Sequence, residues 1–349
     1  MARWNKMLGR KILERWYDYT PDSWQPDTIR KAVIFTPKAV GDGMAIYPVI
    51  RALQARNLEW LCIVASHKSA PAFEALKKEG VEIQTVPRDR DYKAVKELAT
   101  NLRARHGSID LCVDATGHAT SPGIYFVGKL KARMNLTYSA YNMRAFADFD
   151  QPILHETSLP DLWAKLIEKA GLGNSAGHFE LPIPDNIDKA VSQWTNSLGS
   201  YVLLNLDGSV DYRSISLDKA KSLIDTVYAA TGLPLVIPYA PSGEQKAMQL
   251  AREFPFVHTF PGQCSLLVSA ALVKHATVVF SPDTSIIHIA SAYNRPTVGV
   301  YVVIDSAWQP QATLHAVIHS TNHVEQGLTP ERVAEAFKRV YPSTTEPLG

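Results

Sequence analysis

Residues 276–301, ATVVFSPDTSIIHIASAYNRPTVGVY, restrict the fold more than any other stretch of this 349-residue chain. An apolar run stops at Ser281-Pro282-Asp283-Thr284, a helical pattern follows, and Pro296 opens a second apolar run. Strand, turn, helix and strand in that order form a parallel crossover, whose sheet carries helices on both faces. Ligands of open α/β sheets sit beyond the carboxyl ends of the strands, at helix N-termini. The apolar helix carries one conspicuous polar residue, His288, four positions after Thr284, so both share a helix face. The segment reads as a small-ligand site suited to a phosphate.

The same alternation extends through the chain. Residues 32–36, 60–65, 81–86, 109–114 and 134–138 read as strands, separated by helices at 43–55, 70–79, 92–105 and 121–131. Residues 139–185 break this rhythm, with a helix at 159–170 followed by Gly171, Gly173, Gly177, Pro182 and Pro184. A linker is expected near 172–186. Beyond it come strands at 201–206, 234–238, 256–259, 276–280, 296–301 and 316–319. Helices are expected at 217–231, 243–254, 265–275 and 330–341. A chain of this length exceeds what one hydrophobic core usually serves. The expected organisation is an α/β protein with an N-terminal extension (1–30) and two Rossmann-like doubly wound domains, 31–175 and 176–349, facing a central cleft. The final helix is expected with the second domain or packed back on the first.

Within the extension, Trp4, Met7, Leu8, Ile12, Leu13, Trp16 and Tyr17 recur at helical spacing among basic residues. Such an amphipathic helix either packs on the domain or lies on a membrane surface. The net charge of +2 conceals an asymmetry. Residues 1–150 hold 23 Lys and Arg against 16 Asp and Glu, and residues 151–349 hold 13 against 18. A basic first half either suits an anionic partner or is scatter over a solvated surface. The longest apolar run, 266–280, is interrupted by Lys274 and His275 and falls short of a bilayer span. Three widely separated cysteines, Cys62, Cys112 and Cys264, and no apolar leader point to a reducing compartment.

The loop after the first strand reads TPKAVGDG, without the glycine spacing of a nicotinamide-binding Rossmann domain. Walker, zinc and nucleophile-elbow spacings are also missing. Asp42, between Gly41 and Gly43, can serve as a general base or cap the following helix. In 205–216, NLDGSVDYRSIS, Gly208 and Ser209 offer a backbone N–H cradle and a hydroxyl, and Arg213 a bidentate phosphate contact. The alternative is a polar surface loop. Glu244 in APSGE can accept from ribose hydroxyls or favour a helix N-terminus. Asp283, Thr284 and Ser285 supply hydroxyls and free N–H groups, although Asp283 can instead cap its helix and His288 can be a core histidine.

Taken together, these residues resemble glycosyltransferase family 9, the ADP-heptose:lipopolysaccharide heptosyltransferases. The resemblance rests on Gly41-Asp42, on Asp114-Ala115-Thr116-Gly117 followed by Ser121, and on the signature Asp283-Thr284, His288, Ala290, Ala292 and Pro296-Thr297. Trp308 and Pro310 fit a W-x-P that often follows, and the match runs in order over about residues 31–341. Ser285 stands where the family usually has Gly, Arg213 near its usual Lys, and Thr120 at a frequent Arg.

The resemblance implies a GT-B fold and an inverting transfer of heptose from ADP-heptose to the inner core of lipopolysaccharide. Asp42 is then the base. Gly208, Ser209, Arg213, Glu244, Asp283, Thr284, Ser285 and His288 face the donor, and Lys38, Gly41, Gly43, His118 and Thr120 the acceptor. No obligatory metal or cofactor is expected, because Arg213, Ser209 and helix N–H groups can stabilise the leaving diphosphate. The implied acceptor is an anionic, Kdo-bearing lipid A-type molecule. The implied setting is the cytoplasm or the cytoplasmic face of the inner membrane, as a monomer without nucleic-acid partners. Alternatives are another nucleotide-sugar donor, a nucleotide-sugar epimerase of the same architecture, or a catalytically silent GT-B binding protein.

Overall fold

The computed structural model describes residues 2–87, 91–149, 157–303 and 307–341, the side chains of residues 1–8 excepted. The chain divides into two compact units, Met1–Gly177 and His178–Gly349. The first carries strands β1 (Lys31–Thr36), β2 (Trp60–Ser66), β3 (Glu82–Val86), β4 (Leu111–Asp114) and β5 (Met134–Thr137), in the order β3-β2-β1-β4-β5. All four pairings are parallel. β1 and β4 are buried almost throughout, as continuous apolar strands covered on both faces should be. Helices α1 (Ala2–Tyr17), α2 (Val40–Ala45), α3 (Tyr47–Gln54), α4 (Tyr92–His106), α5 (Ser121–Leu130) and α6 (Leu159–Lys169) complete this unit.

The second unit carries β6 (Val202–Leu204), β7 (Leu235–Val236), β8 (Val257–His258), β9 (Val278–Pro282), β10 (Thr297–Tyr301) and β11 (His315–His319). Their order is β11-β10-β9-β6-β7-β8, again all parallel. Its helices are α7 (Asp185–Thr195), α8 (Leu217–Thr231), α9 (Glu244–Glu253), α10 (Leu266–His275), α11 (Ser285–Ala292) and α12 (Pro330–Val340). Each sheet has a switch point, where connections leave neighbouring strands in opposite directions: between β1 and β4 in the first, between β6 and β9 in the second. That divergence opens the crevice in which such sheets bind ligands.

Three expectations need correction. The single helix expected at 43–55 is two, α2 and α3, because Pro48 sits in the first turn of α3, where its missing N–H is harmless. Residues Ala70–Glu79 wind as a 3₁₀ helix rather than an α-helix. The expected linker runs into α7, which starts directly after Pro184 and is held to α10 by Asp188, 2.6 Å from Lys274 Nζ and 2.8 Å from His275 Nε2. The last helix, α12, packs on α8 and β11 of the second unit.

The N-terminal extension is part of the first unit. Leu13 and Tyr17 pack against the unit's core. Tyr17 lies so close to α5 that a Cβ on Gly128 would come within 2.5 Å of it. Glu14 is buried with Arg10 3.6 Å away. Beyond α1, Tyr19 Oη donates to Ala132 O (2.8 Å) and Trp24 Nε1 to Ala170 O (2.8 Å), which straps the chain along the domain. The side chains of Trp4, Met7 and Leu8 lie outside the described residues. Cys62, Cys112 and Cys264 are free and buried. Among the described residues, no helix is long and apolar enough to cross a membrane.

Candidate functional site

The first unit gathers its polar residues at the switch point. Lys38 and Asp42 follow β1, and His118 and Thr120 follow β4. Asp42 occupies the third position of α2, whose N-cap is Ala39, so Asp42 is not the cap residue. Burial pushes the Asp42 carboxyl above the usual aspartate range. The Lys38 ammonium and the backbone N–H groups of Ala39 and Asp42 itself pull the other way. A half-buried carboxylate poised in this manner is suited to accept a proton. Gly41 lies beside it in the first turn, and Gly43 is buried where a Cβ would come 3.0 Å from the Phe73 ring.

Behind this edge lies a buried hydrogen-bond set. Tyr141 Oη donates to Asp114 Oδ2 (2.5 Å), and the Thr116 N–H to Asp114 Oδ1 (3.0 Å). Gly123 must be glycine, since a Cβ there would meet both Tyr141 Oη (2.2 Å) and Asp114 Oδ2 (2.4 Å). Burial drives Asp114 above its ordinary range despite these donors. Thr120 caps α5 by accepting from the Gly123 N–H (3.1 Å), so its hydroxyl is engaged in structure. His118 is exposed; desolvation and the Lys38 and Arg10 cations hold its imidazole below the usual range.

In the second unit, β6 and β9 end side by side and Asn205 ties them together. Its Nδ2 donates to Ser281 Oγ (2.9 Å), to Thr284 Oγ1 (3.2 Å) and to Asp207 O (3.2 Å). Thr284, not Asp283, caps α11, accepting from the Ile286 N–H (3.3 Å). Ser285 is the first helical residue, where no preceding turn offers its N–H a carbonyl. Asp283 instead faces Arg213: Nη2 lies 3.0 Å from Asp283 Oδ2, and Nη1 donates to Asp283 O at 3.0 Å. Burial raises the Asp283 carboxyl and Arg213 lowers it, the first effect prevailing. The guanidinium is thereby placed next to the start of α11, a pairing suited to an anion.

Gly208 plays a part other than the expected cradle. Its N–H is given to Ser214 Oγ (3.2 Å), and a Cβ there would come 2.5 Å from Arg213 Cβ and 2.8 Å from Arg213 O. The glycine therefore lets the loop fold back and bring Arg213 into position. Ser209 is exposed on the same loop, and Glu244 is exposed at the first position of α9. Two contacts lay beyond sequence reasoning. Lys246 Nζ lies 2.5 Å from Asp207 Oδ1 and donates to Ile215 O (2.8 Å), which braces the loop carrying Arg213. His288 is buried and stacks on Phe179 (4.6 Å between ring centroids), with Trp308 at 5.1 Å. Burial, with Arg213 nearby, lowers its pKa to about 3, so it is neutral at physiological pH. Its Nδ1 is buried with no hydrogen-bond partner among the described residues.

Residues 225–334 match the family model described as glycosyltransferase family 9 (heptosyltransferase). The chain belongs to this family. It is a glycosyltransferase, and its two parallel sheets flanked by helices are the GT-B type of architecture. The Escherichia coli (strain K12) protein YeeL is 32% identical over 228 residues, which is 62% of this chain and 97% of YeeL. The family 9 glycosyltransferase of Veillonella parvula superposes with a TM-score of 0.70 at 15% identity, over 89% of this chain and 97% of that one. The E. coli heptosyltransferase WaaC, solved with ADP, gives a TM-score of 0.65 at 20% identity, over 88% and 97%.

Proposed function

We propose that this glycosyltransferase moves a heptose from ADP-heptose to an anionic, Kdo-bearing lipid acceptor of the lipopolysaccharide inner core. The observation that carries the donor half is Arg213, held 3.0 Å from Asp283 at the open N-terminus of α11. A guanidinium beside the Ser285 N–H at a helix start suits a diphosphate. The family's heptosyltransferase description and the ADP bound by WaaC support an ADP-sugar. Thr284 and Asn205 hold the helix start in register, and neutral His288 supports it from below without contributing charge.

In the proposed reaction, an acceptor hydroxyl oxygen attacks the anomeric carbon from the face opposite the diphosphate. Asp42 takes the hydroxyl proton, the bond between the anomeric carbon and the diphosphate oxygen breaks, and configuration inverts. Charge growing on the leaving diphosphate is met by Arg213 and the Ser285 N–H rather than by an obligatory cation. Lys38, with Gly41 and Gly43 allowing close approach and His118 and Thr120 across the switch point, makes the acceptor side. Such an enzyme works as a monomer at the cytoplasmic face of the inner membrane.

A thermal-shift panel in chelating buffer tests the donor. At a hundred times its Kd, a ligand adds about 2.7 kcal/mol to the native state. ADP-heptose is expected to raise the melting temperature by several degrees, while UDP-, GDP- and CMP-sugars leave it unchanged. A shift with UDP-sugars alone contradicts the proposal.

A further inference from the structure

We propose that Arg10, in the N-terminal extension, is an acceptor-specificity residue whose guanidinium holds a carboxylate or phosphate of the acceptor at the lip of the first unit's switch point. The inference deepens the proposed function and rests on its anionic acceptor. Switch-point sites are ordinarily built from the loops that follow strands. Here a helix from outside the sheet, α1, reaches the same place.

The path of α1 follows from its contacts. At its C-terminal end, Tyr17 meets Tyr125 edge-on (5.0 Å between ring centroids) and presses on Gly128, late in α5. One turn earlier, Glu14 Oε1 accepts from the Asn142 N–H (3.5 Å). The adjacent Tyr141 Oη accepts from the Thr120 N–H (3.2 Å) at the start of α5. Helix α1 therefore runs alongside α5 toward its N-terminal end. Arg10, two turns before Tyr17, arrives where His118 stands. Its charge is felt there: desolvation, then the Lys38 and Arg10 cations, hold the His118 imidazole below its usual range.

Arg10 is held in place without being used up. Its Nε is buried and has no hydrogen-bond partner among the described residues. Glu14 Oε1, 3.6 Å away, is beyond hydrogen-bond length. The Glu14 side chain is 2% exposed and that of Arg10 38%, so a ligand meets the cation and not the acid behind it. An anionic acceptor needs that charge. The Lys38 cation is shared between two carboxylates, Asp42 and Asp114, which repel an anion. Thr120 is uncharged, and its hydroxyl caps α5. A planar guanidinium offers paired N–H donors that match either a carboxylate or a phosphate.

Two readouts on the full chain test this, one with the acceptor and one without it. Arg10→Met alone leaves Glu14 buried without its counter-ion, so Arg10→Met/Glu14→Gln is made beside it. Arg15→Met, exposed on the same helix, is the control. In steady-state transfer to Kdo-bearing lipid A, both Arg10→Met forms are expected to raise the acceptor KM by roughly 10- to 100-fold. The donor KM and kcat should not change, and Arg15→Met should alter nothing. Arg10→Lys should recover part of the loss, because it keeps the charge and loses the fork. Carboxyl-reduced and dephosphorylated acceptors name the bound group: the one that lacks it abolishes the difference between parent and Arg10→Met. A difference that survives both modifications overturns the proposal.

The second readout is the NMR titration of the His118 ring, assigned by its loss in His118→Gln. Inorganic phosphate should raise the imidazole pKa of the parent beyond the effect of chloride at equal ionic strength. The Arg10→Met/Glu14→Gln variant should show no such rise. The same response in parent and double variant, or a parental acceptor KM in both Arg10→Met forms, overturns the proposal. An Arg10-dependent response to phosphate in a parent that transfers nothing to Kdo-bearing lipid A supports the anion site and refutes the acceptor instead.

Discussion

Two residues, Asp42 and His288, show how burial sets chemical character. Asp42 is raised by desolvation and restrained by Lys38, so its ionisation marks the acid limb of any reaction in which it is the base. Activity then rises with pH as Asp42 loses its proton, at a pH above the ordinary aspartate range. Lys38→Met removes the cation that lowers this pKa, so the acid limb of kcat/KM is expected to move to higher pH. A limb that stays put, or moves to lower pH, contradicts the assignment. His288 illustrates the opposite case. Its folded pKa of about 3 lies below the unfolded value near 6.5, so the unfolded state binds the proton more readily. The stability it contributes is complete above about 6.5 and declines as pH falls toward 3, by about 1.4 kcal/mol per pH unit. His288→Phe, which keeps a ring between Phe179 and Trp308, should flatten that decline in denaturant titrations run across this range. An unchanged slope would place the proton elsewhere.

At the scale of elements, the sequence displayed its strand ends well. Asp42 after β1 and Thr284 after β9 were legible because an apolar run that stops at polar and glycine residues marks both a strand end and its ligand side. Functions that arise between elements were not. Asn205 bonds Ser281 and Thr284, and Lys246 bonds Asp207, through strand neighbours that local periodicity does not encode. From sequence Gly208 reads as a cradle, because its demand, the approach of Arg213, appears only once the loop closes. The helix α7 was hidden by the Gly and Pro density before it, although Pro184 directly before its first residue is itself a start signal. The seat of α1 on α5 offers a test at this scale. Gly128→Ala would place a methyl within 2.5–2.9 Å of Tyr17 atoms. It should cost about 1–3 kcal/mol and loosen α1, seen as faster amide exchange in residues 9–17. Unaltered exchange and stability would show that the contact is more forgiving than its geometry.

For the molecule as a whole, the two units solve the same problem with different residues. Each is an all-parallel sheet whose switch point gathers loops from two diverging connections. The first collects a carboxylate with a raised pKa, a lysine and glycines. The second collects an arginine, a helix start and a braced loop. In the proposed reaction, proton acceptance falls to the former and anion binding to the latter, the division a glycosyl transfer between an alcohol and a nucleotide diphosphate requires. The most direct test is steady-state transfer from ADP-heptose by the Asp42→Ala variant, with donor affinity measured alongside. The predicted result is a kcat lower by at least about 10²-fold with the ADP-heptose Kd unchanged. Turnover at the parent rate with the same donor and acceptor would contradict the role assigned to Asp42.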